Sequence, residues 1–347
     1  MAAMNMKDKP HSALDEMDDK GTFKRTASAF REIISPTHAT FQPEANRYHL
    51  YISLACPWAN RCYSMLHLKG LEKAIGVTIV HPTWARTRKD DPSDDHCGWQ
   101  FYDSSSKVPI SSATGHGSFL IDKCTPDVLN GAAFVRDLYE LAGDTLKKYS
   151  VPVLWDTKHR TIVNNESSDI LRMFNEAFDG IALHPEVDLY PAQLRGSIDE
   201  VNGWVYDSIN NGVYKCGFAQ SQTAYDTAMV NLYAGLDRVE GILSTQRYLV
   251  GSHFTEADLR LFMTLVRFDE VYVVYFKTNK KQIADYPHIL NYCREIYQMP
   301  AIRATVDMDH IKTHYYTSHP KLNAFAIIPQ GPDAVGGLEQ PHDRARF

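Results

Sequence analysis

The chain has 347 residues, 44% hydrophobic and 22% charged, ordinary values for a folded protein with room for two domains. A formal net charge of -6 leaves no basic field to neutralise phosphates, which argues against nucleic acid as a partner. No apolar run approaches a membrane span, no apolar signal region opens the chain, and six cysteines without dense regular spacing are not a disulfide framework. The expectation is therefore a reducing compartment: cytoplasmic, with a mitochondrial form left open.

Residues 1–46 are polar and without a sustained period, and are expected to form an extension wrapped on the surface or partly disordered. Tyr48-His49-Leu50-Tyr51-Ile52 alternates as a half-buried strand does. Behind it, Ala59, Cys62, Tyr63 and Leu66 recur at helical spacing, and Gly70 supplies a stop. Val77–His81 reads as a second strand, so the strand–helix–strand unit implies parallel pairing. Thr83–His96 is charged and contains proline, a surface loop, and Trp99 and Phe101 follow as an aromatic return. A helix is predicted over about 131–147, strands over Val151–Asp156 and Thr161–Val163 with a hairpin between them, and a helix after Asn164-Asn165-Glu166-Ser167-Ser168. That order of elements is the order of a thioredoxin-like sheet. Beyond Tyr190 the pattern is helical, with helices near 192–210, 221–243, 256–276 and 289–298, and Thr255-Glu256-Ala257-Asp258 has the form of a capping box. The Gly- and Pro-rich tail after Gln330 is expected to be a surface arm. The predicted boundaries are an extension over 1–46, a thioredoxin-like domain over 47–180, an all-helical domain over 190–325 and a C-terminal arm over 326–347.

The chemistry centres on Cys56, in Ser53-Leu54-Ala55-Cys56-Pro57-Trp58-Ala59. It falls where a strand turns into a helix, with Pro57 in the first helical turn, where a missing N–H costs nothing. Free amides and the positive end of the helix dipole point at its sulfur, a setting that favours thiolate. Ala59 stands where a second cysteine would make an internal dithiol, and Cys62 lies about 9 Å further along the helix axis on another face. Any mixed disulfide on Cys56 must then be resolved by an outside thiol. Val151-Pro152 would suit a cis peptide that exposes the Val151 backbone to a peptide-like ligand; most X-Pro bonds are trans, and the place beside the Cys56 helix favours the cis form. Glu166-Ser167 at a helix start offers amides and a hydroxyl to an anion and a carboxylate to an ammonium, or serves as an ordinary cap. Together these positions describe a site for a thiol tripeptide. His310 and His314 lie four apart, with His319 nearby, but no cysteine or carboxylate cluster completes a ligand set, and no metal is expected.

Cys56-Pro57-Trp58-Ala59, Gly98-Trp99, Val151–Asp156, Asn165-Glu166-Ser167, Asn210–Tyr214, Arg267–Tyr272 and His310–Tyr316 resemble, in order, the motifs of the glutathionyl-hydroquinone reductases, or Xi-class glutathione transferases. The resemblance runs from about Tyr48 to Pro332. It implies a homodimer of subunits with an α/β thioredoxin-like N-terminal domain followed by an all-α glutathione-transferase C-terminal domain, with glutathione as co-substrate. It implies Cys56 as nucleophile, Tyr214 as proton donor, Tyr272 and Tyr315 lining a quinol pocket and helping to keep Cys56 ionised, and Trp99, Val151, Glu166 and Ser167 holding glutathione. Two departures stand out. Lys148 replaces an arginine usual near glutathione, a point charge in place of a bidentate fork, and the Thr83–His96 loop is longer than usual.

The expected function is glutathione-dependent reduction of S-glutathionyl-hydroquinones to hydroquinones through a Cys56–glutathione mixed disulfide, with glutathione disulfide released. Its rivals are an Omega-like or glutaredoxin-like thioltransferase, which would use the same cysteine, and a non-catalytic aromatic-ligand-binding protein on the same fold.

Overall fold

The computed structural model describes residues 9–347; the first eight residues of the expected extension lie outside the described residues. By contact the chain divides into two compact units. The first comprises residues 9–15, Thr26–Pro185 and Asp307–Ile328; the second comprises Glu16–Arg25, Glu186–Val306 and Pro329–Phe347.

The first unit is built on four strands, β1 (Tyr48–Ile52), β2 (Gly76–Ile79), β5 (Val153–Asp156) and β6 (Thr161–Asn164), ordered β2-β1-β5-β6. β1 and β2 pair in parallel, with Leu50 opposite Val77, while β5 runs antiparallel to both β1 and β6. Parallel pairing needs a crossover, and α1 (Pro57–Leu68) supplies it. Leu50, Tyr51, Ile52, Val153 and Leu154 are fully buried, as strands covered by helices should be. α1 packs on α3 (Ser167–Glu176).

Between β2 and β5 the charged loop folds back through a short pair, β3 (Ala85–Arg86) with β4 (Cys97–Gly98). It is tied to α2 (Val135–Leu141): Arg88 donates to Asp137 (2.9 Å) and Glu140 (2.5 Å), and Arg136 donates to Asp94 (2.5 Å). The helix predicted over 131–147 is thus shorter. Asp137 caps it by accepting from the Phe134 N–H (2.8 Å), and the left-handed backbone at Gly143 (φ 75°) and Lys147 (φ 56°) stops the chain from continuing it.

Two segments distant in sequence complete the unit. Residues 30–32 run beside β6, with Glu32 N–H to Val163 O (3.1 Å) and Asn165 N–H to Phe30 O (3.1 Å). The extension is therefore no loose wrapping: Ile34 is 1% exposed. The other segment is α11 (Met308–Thr317), expected within the helical domain but placed by contact in this unit. Thr317 and Thr83 hydroxyls lie 2.8 Å apart, the Trp84 N–H donates to Ser318 Oγ (3.0 Å), and His310 Nε2 lies 2.8 Å from the Asp122 carbonyl.

The second unit is helical: α4 (Arg195–Val205), α5 (Gly212–Gly217), α6 (Gln222–Leu243), α7 (Glu256–Arg267), the single turns α8 (Val273–Tyr275) and α10 (Pro300–Arg303), α9 (Pro287–Tyr297) and α12 (Ala334–Leu338). Two predicted helices are each broken by a wide π-type turn, over Tyr206–Asn210 and Phe268–Tyr272. Such turns recur at functional sites. The C-terminal tail, expected as a surface arm, packs instead. Arg344 is fully buried and donates to the Leu243 carbonyl (2.7 Å) and to those of Gln246 (2.5 Å) and Arg247 (2.6 Å), satisfying acceptors at the end of α6.

Candidate functional site

Cys56 is the N-cap of α1, in extended conformation (φ -77°, ψ 118°), with Pro57 at the first helical position. Its carbonyl accepts the first intrahelical bond, from the Asn60 N–H (2.8 Å). The side chain makes no capping bond, so the sulfur is left at the mouth of the helix, at the positive end of its dipole. It is half-buried, with Sγ 3.5 Å from the Val151 carbonyl oxygen. Cys62, one and a half turns on, is fully buried with Sγ 3.3 Å from the Ser167 carbonyl, and burial pushes its thiol far up. One cysteine is reachable and its helix neighbour is inert.

The Val151–Pro152 peptide is cis. Val151 is 4% exposed, and its N–H donates to no acceptor among the described residues. Next to the sulfur there is thus an N–H and C=O pair on one residue, the edge that an extended peptide backbone can pair with.

The third corner is the start of α3. Glu166 is its N-cap and Ser167 its first residue. The Glu166 carboxylate accepts from Ser168 N–H (3.2 Å), Ser168 Oγ (3.0 Å) and Ser28 Oγ (3.0 Å), with the Arg61 guanidinium 3.7 Å away. Burial pushes this carboxyl up, but the Arg61 charge and the Ser168 and Ser28 bonds together hold it below the ordinary glutamate range. Arg61 also donates to Ser167 Oγ (2.7 Å), and its Nε–H is buried without a partner. A cation, a carboxylate and a hydroxyl meet at one helix N-terminus, a fit for a zwitterionic head group.

Trp99 belongs to the first unit as well. It is 5% exposed, stacked on the His314 ring (centroids 4.4 Å, planes 28° apart) and edge-on to Trp84 (5.5 Å). His314 Nδ1 lies 2.9 Å from the Pro82 carbonyl, which holds the ring in place. Tyr315 follows on α11, 2% exposed and 5.2 Å from the His314 ring. Lys148 lies nearby in sequence to Val151 but directs Nζ to the Thr26 carbonyl (3.2 Å).

Tyr214 and Tyr272 belong to the second unit and meet there, ring centroids 6.1 Å apart. Tyr214 lies on α5, the regular helix that follows the first π-type turn, and Tyr272 ends the second such turn. Phe276 stacks parallel on Tyr272 (5.2 Å, 4°), and the Arg25 guanidinium covers the Tyr214 ring at 5.1 Å. Gly217 is required here, since a Cβ would stand 2.0 Å from the Phe276 ring. Tyr272 is fully buried and Tyr214 is 7% exposed.

Sequence reasoning missed Arg61, Ser28 and Arg25, and weighed His314 as a metal ligand without seeing that it stacks on Trp99. Arg61 lies one turn after Cys56 and could have been found from the helical spacing that turns it toward the next helix; the others depend on long-range packing. Of the histidines weighed as ligands, His310 and His314 hold backbone carbonyls and His319 packs edge-on to Trp84 (5.1 Å). Among the described residues no group of three His, Cys, Asp or Glu is arranged to hold a metal ion, and no helix is long and apolar enough to cross a membrane.

Family models for the N-terminal and C-terminal domains of glutathione S-transferase match residues 55–177 and 222–295. Glutathionyl-hydroquinone reductase YqjG of Escherichia coli K12 is 45% identical over 338 residues, spanning 95% of this chain and 94% of the relative. Glutathionyl-hydroquinone reductase PcpF of Sphingobium chlorophenolicum is 39% identical, with 92% of each chain covered. Among solved structures, the glutathione S-transferase Xi of Phanerochaete chrysosporium superposes with a TM-score of 0.82 at 45% identity, over 94% of this chain and 97% of that one. The glutathione-bound structure of YqjG gives a TM-score of 0.80 at 44% identity, over 92% and 97%. With identity of this level along nearly its whole length, the chain belongs to the Xi-class glutathione transferases, the family of the glutathionyl-hydroquinone reductases.

Proposed function

We propose that this protein reduces S-glutathionyl-hydroquinones to hydroquinones with glutathione as co-substrate, through a mixed disulfide on Cys56. The observation that carries the reading is the half-buried Cys56 sulfur at the open N-terminus of α1, beside the unpaired Val151 N–H. The relatives named as glutathionyl-hydroquinone reductases, and the relative solved with glutathione, supply the substrate class.

In this reading the Cys56 thiolate attacks the glutathione sulfur of the substrate. The Cys56–S–S–glutathione bond forms as the sulfur–carbon bond to the ring breaks, and the ring carbon, leaving with the electron pair, takes a proton from Tyr214. A second glutathione, as thiolate, then attacks the glutathione sulfur of the mixed disulfide, releasing glutathione disulfide and restoring Cys56. Val151 pairs with the peptide backbone of the bound glutathione, Glu166 and Ser167 take its charged head, and Trp99 closes over it. Tyr272 and Tyr315 line the quinol side and help to keep Cys56 ionised. Lys148, whose Nζ donates to the Thr26 carbonyl (3.2 Å), supplies a point charge to glutathione where an arginine would supply a fork. No step calls for a metal, and the working form in this reading is a homodimer, to be checked by light scattering.

Cys56→Ser is expected to abolish hydroquinone release from glutathionyl-hydroquinone while leaving the circular dichroism spectrum unchanged. Incubation with glutathione disulfide should add one glutathione, found on the Cys56 peptide. Unchanged turnover in the variant, or labelling of Cys62 or Cys97 in its place, would remove the mechanism. Rapid turnover of small mixed disulfides with none on the aryl thioether would move the reading to a thioltransferase.

A further inference from the structure

We propose that a half-open cavity beneath Pro332–Leu338, within the second unit, binds a single uncharged aromatic ring carrying a hydroxyl, a ligand of the phenol class. The cavity measures about 190 Å³, and its walls are mainly the apolar side chains of Leu265, Val266, Ile283, Leu290, Cys293 and Leu338. A pocket of this volume with mainly apolar walls is of the order that accepts a benzene-sized guest.

The segment that roofs it is fastened by polar contacts. The Ala334 N–H donates to Glu270 (2.8 Å), Arg294 Nε donates to the Gly337 carbonyl (3.1 Å), and Gln298 Nε2 donates to that of Leu338 (2.9 Å). The roof's backbone groups are thereby satisfied from the side, while Pro332, Ala334 and Leu338 remain to line the chamber.

Of the polar groups in the wall, Gln282 and Asp333 are exposed at the rim and Arg294 gives its Nε–H to Gly337, which leaves Asp269 to select the ligand. Asp269 is 6% exposed; one carboxylate oxygen accepts the Ile283 N–H (2.6 Å) and the other that of Ala284 (3.1 Å). Each oxygen keeps a second lone pair, able to accept one O–H. An anion would be repelled by Asp269, and any charge would lose its hydration among apolar walls. What fits is a neutral ring with one donor. None of Cys56, Val151, Glu166, Tyr214 or Tyr272 lines the cavity, so the inference stands apart from the proposed reaction.

The probes are 4-fluorophenol, titrated by fluorine NMR, and 4-iodophenol, soaked into crystals and located by its iodine. Iodine density is expected in the cavity, whether or not a second phenol occupies the Cys56 site. 4-Fluorotoluene, lacking the donor, should bind there about tenfold more weakly. Ala284→Trp at the rim should remove this binding while hydroquinone release is unchanged; Leu290→Phe, filling the chamber from α9, gives the same test if the first variant folds poorly. Iodine found only elsewhere, binding at crystal concentration only, or fluorine titrations identical in parent and both variants would each overturn the proposal.

Discussion

In the second turn of α1, Arg61 governs the charge at the corner formed by Glu166 and Ser167. It is 2% exposed, donates to Ser167 Oγ and faces the Glu166 carboxylate, while a third donor, Nε–H, is buried and unused. Arg61→Met removes the donor and leaves the serine and the carboxylate without their cation, at a cost of about 2 kcal/mol in stability. The Glu166 carboxyl should then rise toward its ordinary value or above, because burial is no longer opposed by the guanidinium. On the proposed reading, the KM for glutathione should increase about tenfold with a smaller change in kcat, since the lost contact is to the tripeptide head. The KM increase should also set in at higher pH than in the parent, where Glu166 first takes up its proton. A KM–pH profile superposable on the parent's would show that Arg61 has only a packing role. Arg61→Lys restores the charge without the fork and should lie between the two.

At the scale of elements, capping decides where helices begin. Asp258 in α7 is fully buried and accepts from the Thr255 N–H (2.9 Å) and hydroxyl (2.9 Å), the Leu249 N–H (2.8 Å) and the Tyr292 hydroxyl (3.1 Å). Asp258→Ala would strand these donors in the core and is expected to cost about 3 kcal/mol, read as a lower urea midpoint with unchanged slope; a loss under 1 kcal/mol would mean that water replaces the carboxylate. This cap was legible in the sequence, as were the strand around Leu50, the Cys56 turn and the helix after Glu166. Each is a local pattern in which period, cap and turn chemistry agree. Less legible were features without a local signal. The π-type turns before Tyr214 and around Tyr272 share their hydrophobic period with the flanking helices. Arg344 reads as a solvated charge until α6 offers it three carbonyls. α11 has a helical sequence, but nothing in that sequence says that His314 will stack on Trp99 two hundred residues earlier.

For the molecule as a whole, the consequence is acid sensitivity set by buried neutral histidines. Desolvation holds His49, His81 and His96 at about 4, against an ordinary value near 6.5, and His319 well below it. A base with a depressed folded pKa takes up its proton first in the unfolded chain, so stability falls as pH drops from 6.5 toward 4. Asp258 works the other way: burial raises its carboxyl to about 6, so the folded state gains a proton over much of the same window. His49, His81 and His96 against Asp258 leave two uncompensated protons, a slope of about 3 kcal/mol per pH unit between 6 and 4, to which the lowered His67, His310 and His319 add and which the raised Asp269 partly offsets. The depressed carboxylates Asp94, Asp156 and Glu166 act only below their ordinary values and leave this window to the histidines. Urea midpoints at pH 7, 6 and 5 should therefore fall at both steps, and more steeply in the second. A flat profile down to pH 4.5 would mean that these rings are charged, or hydrated, in the folded protein. His81→Gln, which keeps a polar side chain of similar reach without the titration, should make the fall measurably shallower.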